Sequence, residues 1–241
     1  MRNTLELAVF NIESALTAAK GGADRLEICE NYANGGTTPS YGILKILRNK
    51  VSIPVFVMLC PRAGDFVYTD EEFEVIKKDI LICKKLNFDG VVCGILKTDG
   101  SIDVPRTSEL VQLAYPMEFT FHRAFDRCKD PLKALEDIID CGCNRILTSG
   151  QVPNALGGKK TIKQLIQKAN NRITILAGGG IRSNNIAEIK QFTGATEFHS
   201  SAKKIVPSKM QFINPKMKDD LNQVSVDVEE IKKMKKNISK K

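Results

Sequence analysis

Eight short apolar segments, each followed by a helix-patterned stretch, recur along this chain at intervals of about 30 residues. They read as strands at 4–10, 24–29, 53–59, 89–95, 117–123, 145–149, 173–177 and 196–200. Such alternation makes neighbouring strands parallel, because each helix carries the chain back to the edge where the last strand began. Eight units in about 200 residues is the count of a single-domain (β/α)8 TIM barrel. A doubly wound open sheet is the competing arrangement, but the first strand–helix turn, Asn11 to Ser14, lacks its glycine-rich dinucleotide fingerprint. The barrel is the expected fold.

Local punctuation agrees with that order. The clearest helix runs from Asp70 to Leu86, with Asp70 as N-cap and Phe73, Ile76, Ile80 and Cys83 on one stripe. Gly21-Gly22, Asn87, Gly142 and Gly194 stand at expected helix ends, and Pro105 and Pro131 at helix starts. The barrel body is expected over residues 1–202. Residues 203–241 form an irregular basic tail with little periodicity through Pro207 and Pro215. It ends in a helix that starts near Asp227 and Glu230 and packs Val228, Ile231 and Ile238 on the barrel.

The formal charge of +8 invites a nucleic-acid reading. However, the tail holds eleven lysines against five acids, which leaves only +2 on residues 1–202. No aromatic–basic interleaving accompanies the lysines, so a nucleic-acid partner is not expected. No apolar run approaches the roughly 20 residues that span a bilayer. The first residues have a strand pattern rather than that of a secretory leader. Seven cysteines at irregular spacing read as reduced thiols rather than a disulfide framework. The expectation is a soluble cytoplasmic protein.

In a barrel the C-terminal strand ends form the working face. The segment Phe119–Asp126, FTFHRAFD, places His122 on the polar face of a strand and Arg123 at its end. Alternation turns Glu6, Glu27 and His199 inward as well, where charges must meet each other or a ligand. Glu27–Arg25 and Glu6–Arg62 are the pairings expected if the network is merely structural. Gly178, Gly179 and Gly180 follow the seventh strand, and Ser200 and Ser201 end the eighth; this is where barrels often hold a phosphate. Cys29 and Cys60 fall at the ends of neighbouring strands, and two thiolates suit a soft ion such as Cu(I). Cys128 also follows a strand, whereas Cys141 and Cys143 precede one and lie at the opposite end.

The stretches ADRLEIC, GGTTPSYG, IPVFVM, PRAGDF, FTFHRAFD, RILTSGQ, GGGI and GATEFHSSA, in this order, resemble the CutC family of copper homeostasis proteins, its animal members most. The resemblance spans about residues 4–202. It implies a (β/α)8 barrel, cytoplasmic and in eukaryotes also nuclear, that forms homo-oligomers (dimers or tetramers) and handles copper, with Cu(I) as its ion. Two positions depart from the family pattern. Ala8 stands where a first-strand cysteine is usual, and CPRAGDF replaces RPRGGDF, putting Cys60 in place of an arginine.

Two functions follow. One is a cytosolic Cu(I)-binding protein that buffers or passes on the ion, with Cys29 and Cys60 as ligands and His122 or His199 as additional ones. The other is a barrel isomerase or lyase acting on a small phosphorylated substrate. There Gly178–Gly180, Ser200 and Ser201 would hold the phosphate, Glu6 or Glu27 would act as general base, and His122 with Arg123 would stabilise an oxyanion. A catalytically silent oligomeric scaffold is a third reading.

Overall fold

The computed structural model describes residues 3–239. Strand β1 (Thr4–Val9) pairs with β2 (Arg25–Ile28) on one side and with β8 (Glu197–Ser200) on the other, which closes the sheet. Between them lie β3 (Val55–Met58), β4 (Gly90–Cys93), β5 (Glu118–Phe121), β6 (Arg145–Thr148) and β7 (Thr174–Ala177), all neighbours parallel. The intervening helices are α1 (Ile12–Gly21), α2 (Tyr41–Arg48), α3 (Asp70–Lys85), α4 (Val104–Ala114), α5 (Pro131–Asp140), α6 (Lys159–Ala169) and α7 (Ile186–Thr193). This is the (β/α)8 barrel that the alternation predicts.

Each strand has two buried faces, and they differ in chemistry. Leu5, Leu7, Leu26, Ile28, Val57 and Phe119 belong to the main core between sheet and helices. The opposite parity points into the barrel, where Cys29, Phe56, Met58, Cys60 and Val92 form a separate apolar cluster. Phe56 fills the N-terminal end. The guanidiniums of Arg25 and Arg145 lie 5.0 and 4.9 Å from its ring centroid. Gly90 makes the space, since a Cβ there would sit 2.6 Å from the Phe56 ring.

The ionic pairing differs from the expected one. Arg25 bonds Glu6 and Glu197, both at 2.5 Å, rather than Glu27. Arg62 does not reach Glu6. It lies in the loop after β3 and bonds Glu72 at 2.6 Å and Asp65 at 3.0 Å outside the barrel. The cap of α3 is also displaced by one residue. Thr69, extended at ψ 172°, is the N-cap and forms a reciprocal capping box with Glu72. Asp70 is already helical and pairs with Arg106.

Beyond β8, the aperiodic segment contains strand β9 (Lys203–Val206), which pairs antiparallel with β10 (Gln223–Val226). Helix α8 (Val228–Ser239) follows, with Asp227 accepting bonds from the amides of Glu229 and Glu230. It buries Ile231, Met234 and Ile238 and packs on α1 and α7, with Ile231 against Gly21. Glu230 turns to the Ser183 amide and hydroxyl instead of closing a capping box. No helix among the described residues is long and apolar enough to cross a membrane.

Candidate functional site

The C-terminal strand ends and their loops enclose a cavity of about 900 Å³, with Glu27, Met58, His122, Leu147 and His199 among its lining. Three groups of side chains stand at its walls or just behind them.

The first is acidic and basic together. Glu6, 1% exposed, accepts from Arg25 Nε at 2.5 Å and meets His199 Nδ1 at 2.7 Å. Burial alone would raise this carboxyl, but Arg25 and His199 outweigh it and hold it down at about 2. With Nδ1 engaged by Glu6, the other ring nitrogen of His199 faces Glu27 Oε2 at 3.8 Å. Burial works against the imidazolium, yet Glu27 and Glu6 raise its pKa. Glu27 moves up, because burial dominates over the histidine's pull. One ligand atom each from Glu6, Glu27 and His199 lie within 4.8 Å of one another, a hard oxygen–nitrogen donor set.

The second group is soft. Register pairs Ile28 with Val57, so Cys29 and Met58 stand level on adjacent strands, and Cys60 lies one inward step above Met58. A Cβ on Gly36 would touch Cys29 Sγ at 3.4 Å and Met58 Cε at 3.5 Å, so both side chains pack around one spot. Cys29 lies 3.4 Å from Glu27 Oε2, and burial together with that carboxylate pushes its thiol well above the ordinary value. Cys60 donates to the Arg62 carbonyl at 3.0 Å and lies 3.4 Å from Tyr68 Oη. Met58 was not singled out in the sequence. Its parity with Cys60, two residues later on the same strand, is the signal that marks it.

The third group stands after β5, with His122 level with Gly94 on the neighbouring strand end and two strands from Cys60. His122 is 2% exposed, and its Nδ1 accepts from the Ala124 amide at 3.1 Å, which leaves the proton on Nε2. That nitrogen has no partner among the described residues. Burial lowers this histidine to about 4 and keeps it neutral. Gly94 accommodates the ring, since a Cβ there would lie 2.6 Å from Nδ1. Arg123 donates to Asp126 and to Ser149 Oγ, both at 2.7 Å. Asp126 also accepts from Thr148 Oγ1 and the amides of Ser149 and Gln151, so it fixes the loop after β6. The sequence offers Asp126 only as a charge near a strand end; apart from Arg123, its partners lie more than twenty residues further on.

The glycine and serine positions divide. The Gly178 amide donates to the Thr148 carbonyl and Ser200 Oγ to the Ile181 carbonyl, so both are committed internally. Gly179 and Gly180, at φ 95° and 69°, line the cavity with Ser201, and their amides donate to no group among the described residues. The structure thus brings Glu6, Glu27, Cys29 and His199 together. It sets His122 and Arg123 with Gly179 and Gly180 on other parts of the rim.

A closed parallel barrel with its polar pocket at the C-terminal strand ends is the architecture on which barrel proteins carry their ligand sites. Within that class, the CutC family model matches residues 3–204, and this chain belongs to the CutC family. It is 47% identical over 210 residues to the human copper homeostasis protein cutC homolog, covering 87% of this chain and 77% of that protein. A CutC family protein of Vibrio vulnificus is 46% identical over 215 residues, covering 88% of this chain and 86% of the other. The crystal structure of the CutC protein of Streptococcus agalactiae superposes with a TM-score of 0.78 at 36% identity, covering 83% and 98% of the two chains.

Proposed function

We propose that this protein is a Cu(I)-binding member of its copper homeostasis family, buffering or passing on the ion in the cytosol. Cys29 and Cys60 are the principal ligands and Met58 is the third. The observation that supports this reading is the grouping of three sulfur side chains in one buried cluster at the ends of β2 and β3, with Met58 and Cys60 lining the cavity and Cys29 just behind them. Thiolate and thioether sulfur are the donors that select Cu(I), and the buried surroundings keep competing water away. The raised Cys29 thiol means that loading releases a proton, so affinity should climb with pH. Glu6, Glu27 and His199 are hard donors already engaged with Arg25 and one another, a poor match for this ion. His199 stands on the Cys29 side of the cluster, next to Glu27, and His122 on the Cys60 side, across Gly94.

The test is an anaerobic Cu(I) titration of the reduced protein against a competing chelator, with Cys29→Ala, Cys60→Ala and Met58→Leu variants checked for folding by circular dichroism. Stoichiometric binding abolished by either cysteine change and weakened by Met58→Leu is the expected result. Binding indifferent to both cysteine changes would remove copper from this site.

A further inference from the structure

Independently of the copper reading, we propose that the part of the cavity bounded by the ends of β5 to β7 binds a small phosphorylated compound. Arg123 and the amides of Gly179 and Gly180 hold the phosphate, and His122 donates to an oxygen of the ligand's body.

Arg123 is pre-positioned. Nε and Nη2 are fixed by Asp126 and Ser149, which leaves Nη1 as the donor still free. That nitrogen would lie 3.7 Å from a Cβ placed on Gly179, so the side-chain-free backbone and the guanidinium border the same small space. Any side chain at 179 would occupy it, and would also approach Ser149 Cβ to 2.9 Å. One guanidinium N–H and two unpartnered amides suit the three terminal oxygens of a phosphate monoester. Lys97 and Arg127 line the same cavity and make no ion pair among the described residues, so the approach is positive. The acids on this rim are engaged, Asp126 by Arg123 and Asp65 by Arg62.

His122 supplies the second, independent observation. It lines the cavity, is 2% exposed, and carries a buried Nε2–H with no acceptor. A buried donor left unpaired costs on the order of 1–3 kcal/mol, and an arriving carbonyl or hydroxyl oxygen removes that cost. The pattern is one charged anchor at the rim and one neutral donor deeper in the wall.

Two-dimensional NMR of the ¹⁵N-labelled protein tests this, first with inorganic phosphate and then with dihydroxyacetone phosphate. Phosphate should shift the Gly179 and Gly180 amides saturably, with a Kd on the order of 1 mM. Binding should weaken about tenfold in Arg123→Gln and stay unchanged in the remote surface variant Arg172→Gln. His122→Asn tests the deeper contact cleanly, because an asparagine oxygen can keep the bond to the Ala124 amide while the outer N–H disappears. The ketone phosphate should bind more tightly than phosphate to the wild type and lose that advantage in His122→Asn, with phosphate binding unaltered. Shifts spread over surface lysines without saturation would overturn the anion site, and the wild-type spectra decide this even if Arg123→Gln is destabilised. A ketone phosphate that binds no more tightly than phosphate would overturn the role of His122.

Discussion

Replacing Glu6 by glutamine removes the charge on which the barrel's inner network turns. In the native protein that carboxylate, 1% exposed, receives Arg25 at 2.5 Å and His199 at 2.7 Å. Breaking a buried ion pair by neutralising one partner costs about 3–5 kcal/mol. Here the lower end applies, because Arg25 keeps Glu197 and the amide oxygen still accepts one bond. The shifted carboxyl gives the same size by a separate route: a group held at about 2 instead of 4.5 is worth about 3 kcal/mol above the unfolded value. For a chain of this length about 3 kcal/mol lowers Tm by roughly 6–12 °C. The pH dependence carries a sharper signature. A depressed carboxyl contributes stability that is fully present above pH 4.5 and lost as pH falls toward 2. The gap between wild type and Glu6→Gln should therefore narrow as pH falls from 4.5 toward 2. Urea unfolding followed by circular dichroism at a series of pH values measures it. A cost below about 1 kcal/mol at pH 7, or a gap that does not narrow in acid, would refute the view that Glu6 anchors the network.

Two further outcomes follow from inward-facing positions. Gly90→Ala drives a methyl to within 2.6 Å of the Phe56 ring between two guanidiniums, so it should destabilise the barrel by about 1–3 kcal/mol in the same assay; a neutral result would mean that Phe56 moves freely. The two histidines should separate in an NMR titration. His122 should stay a neutral Nε2–H imidazole down to about pH 4, so that as pH drops below 6.5 the unfolded chain protonates first and stability falls, whereas His199 should hold its proton above the ordinary histidine range. Coincident titration of both near 6.5 would contradict the burial of His122 and the pairing of His199 with Glu6 and Glu27.

The alternation of strand and helix was legible because it repeats eight times, and each repeat reinforces the next. Inward candidates follow from parity alone, which is why Glu6, Glu27, His122 and His199 are legible in the sequence. Partners are not. Arg25 bonds residues 19 behind it and 172 ahead, and only closure of β8 onto β1 puts Glu197 beside it. Arg62 looked like a mate for Glu6 until the loop carried it outward to Glu72 and Asp65. Likewise, Thr69 and Asp70 are both capping residues by type, and the backbone angle at Thr69 makes the choice. The β9–β10 pair was hidden because β9 is mostly exposed, and the polar–apolar alternation of β10 spans only four residues, beyond a long aperiodic excursion.

Phe56, pressed between Arg25 and Arg145 at the bottom of the barrel, makes the interior a blind vessel rather than a tunnel. Anything that reaches the inner wall must enter and leave through the same mouth, past one rim. Every group on the inner wall therefore shares one entrance, and whatever narrows that entrance acts on all of them at once.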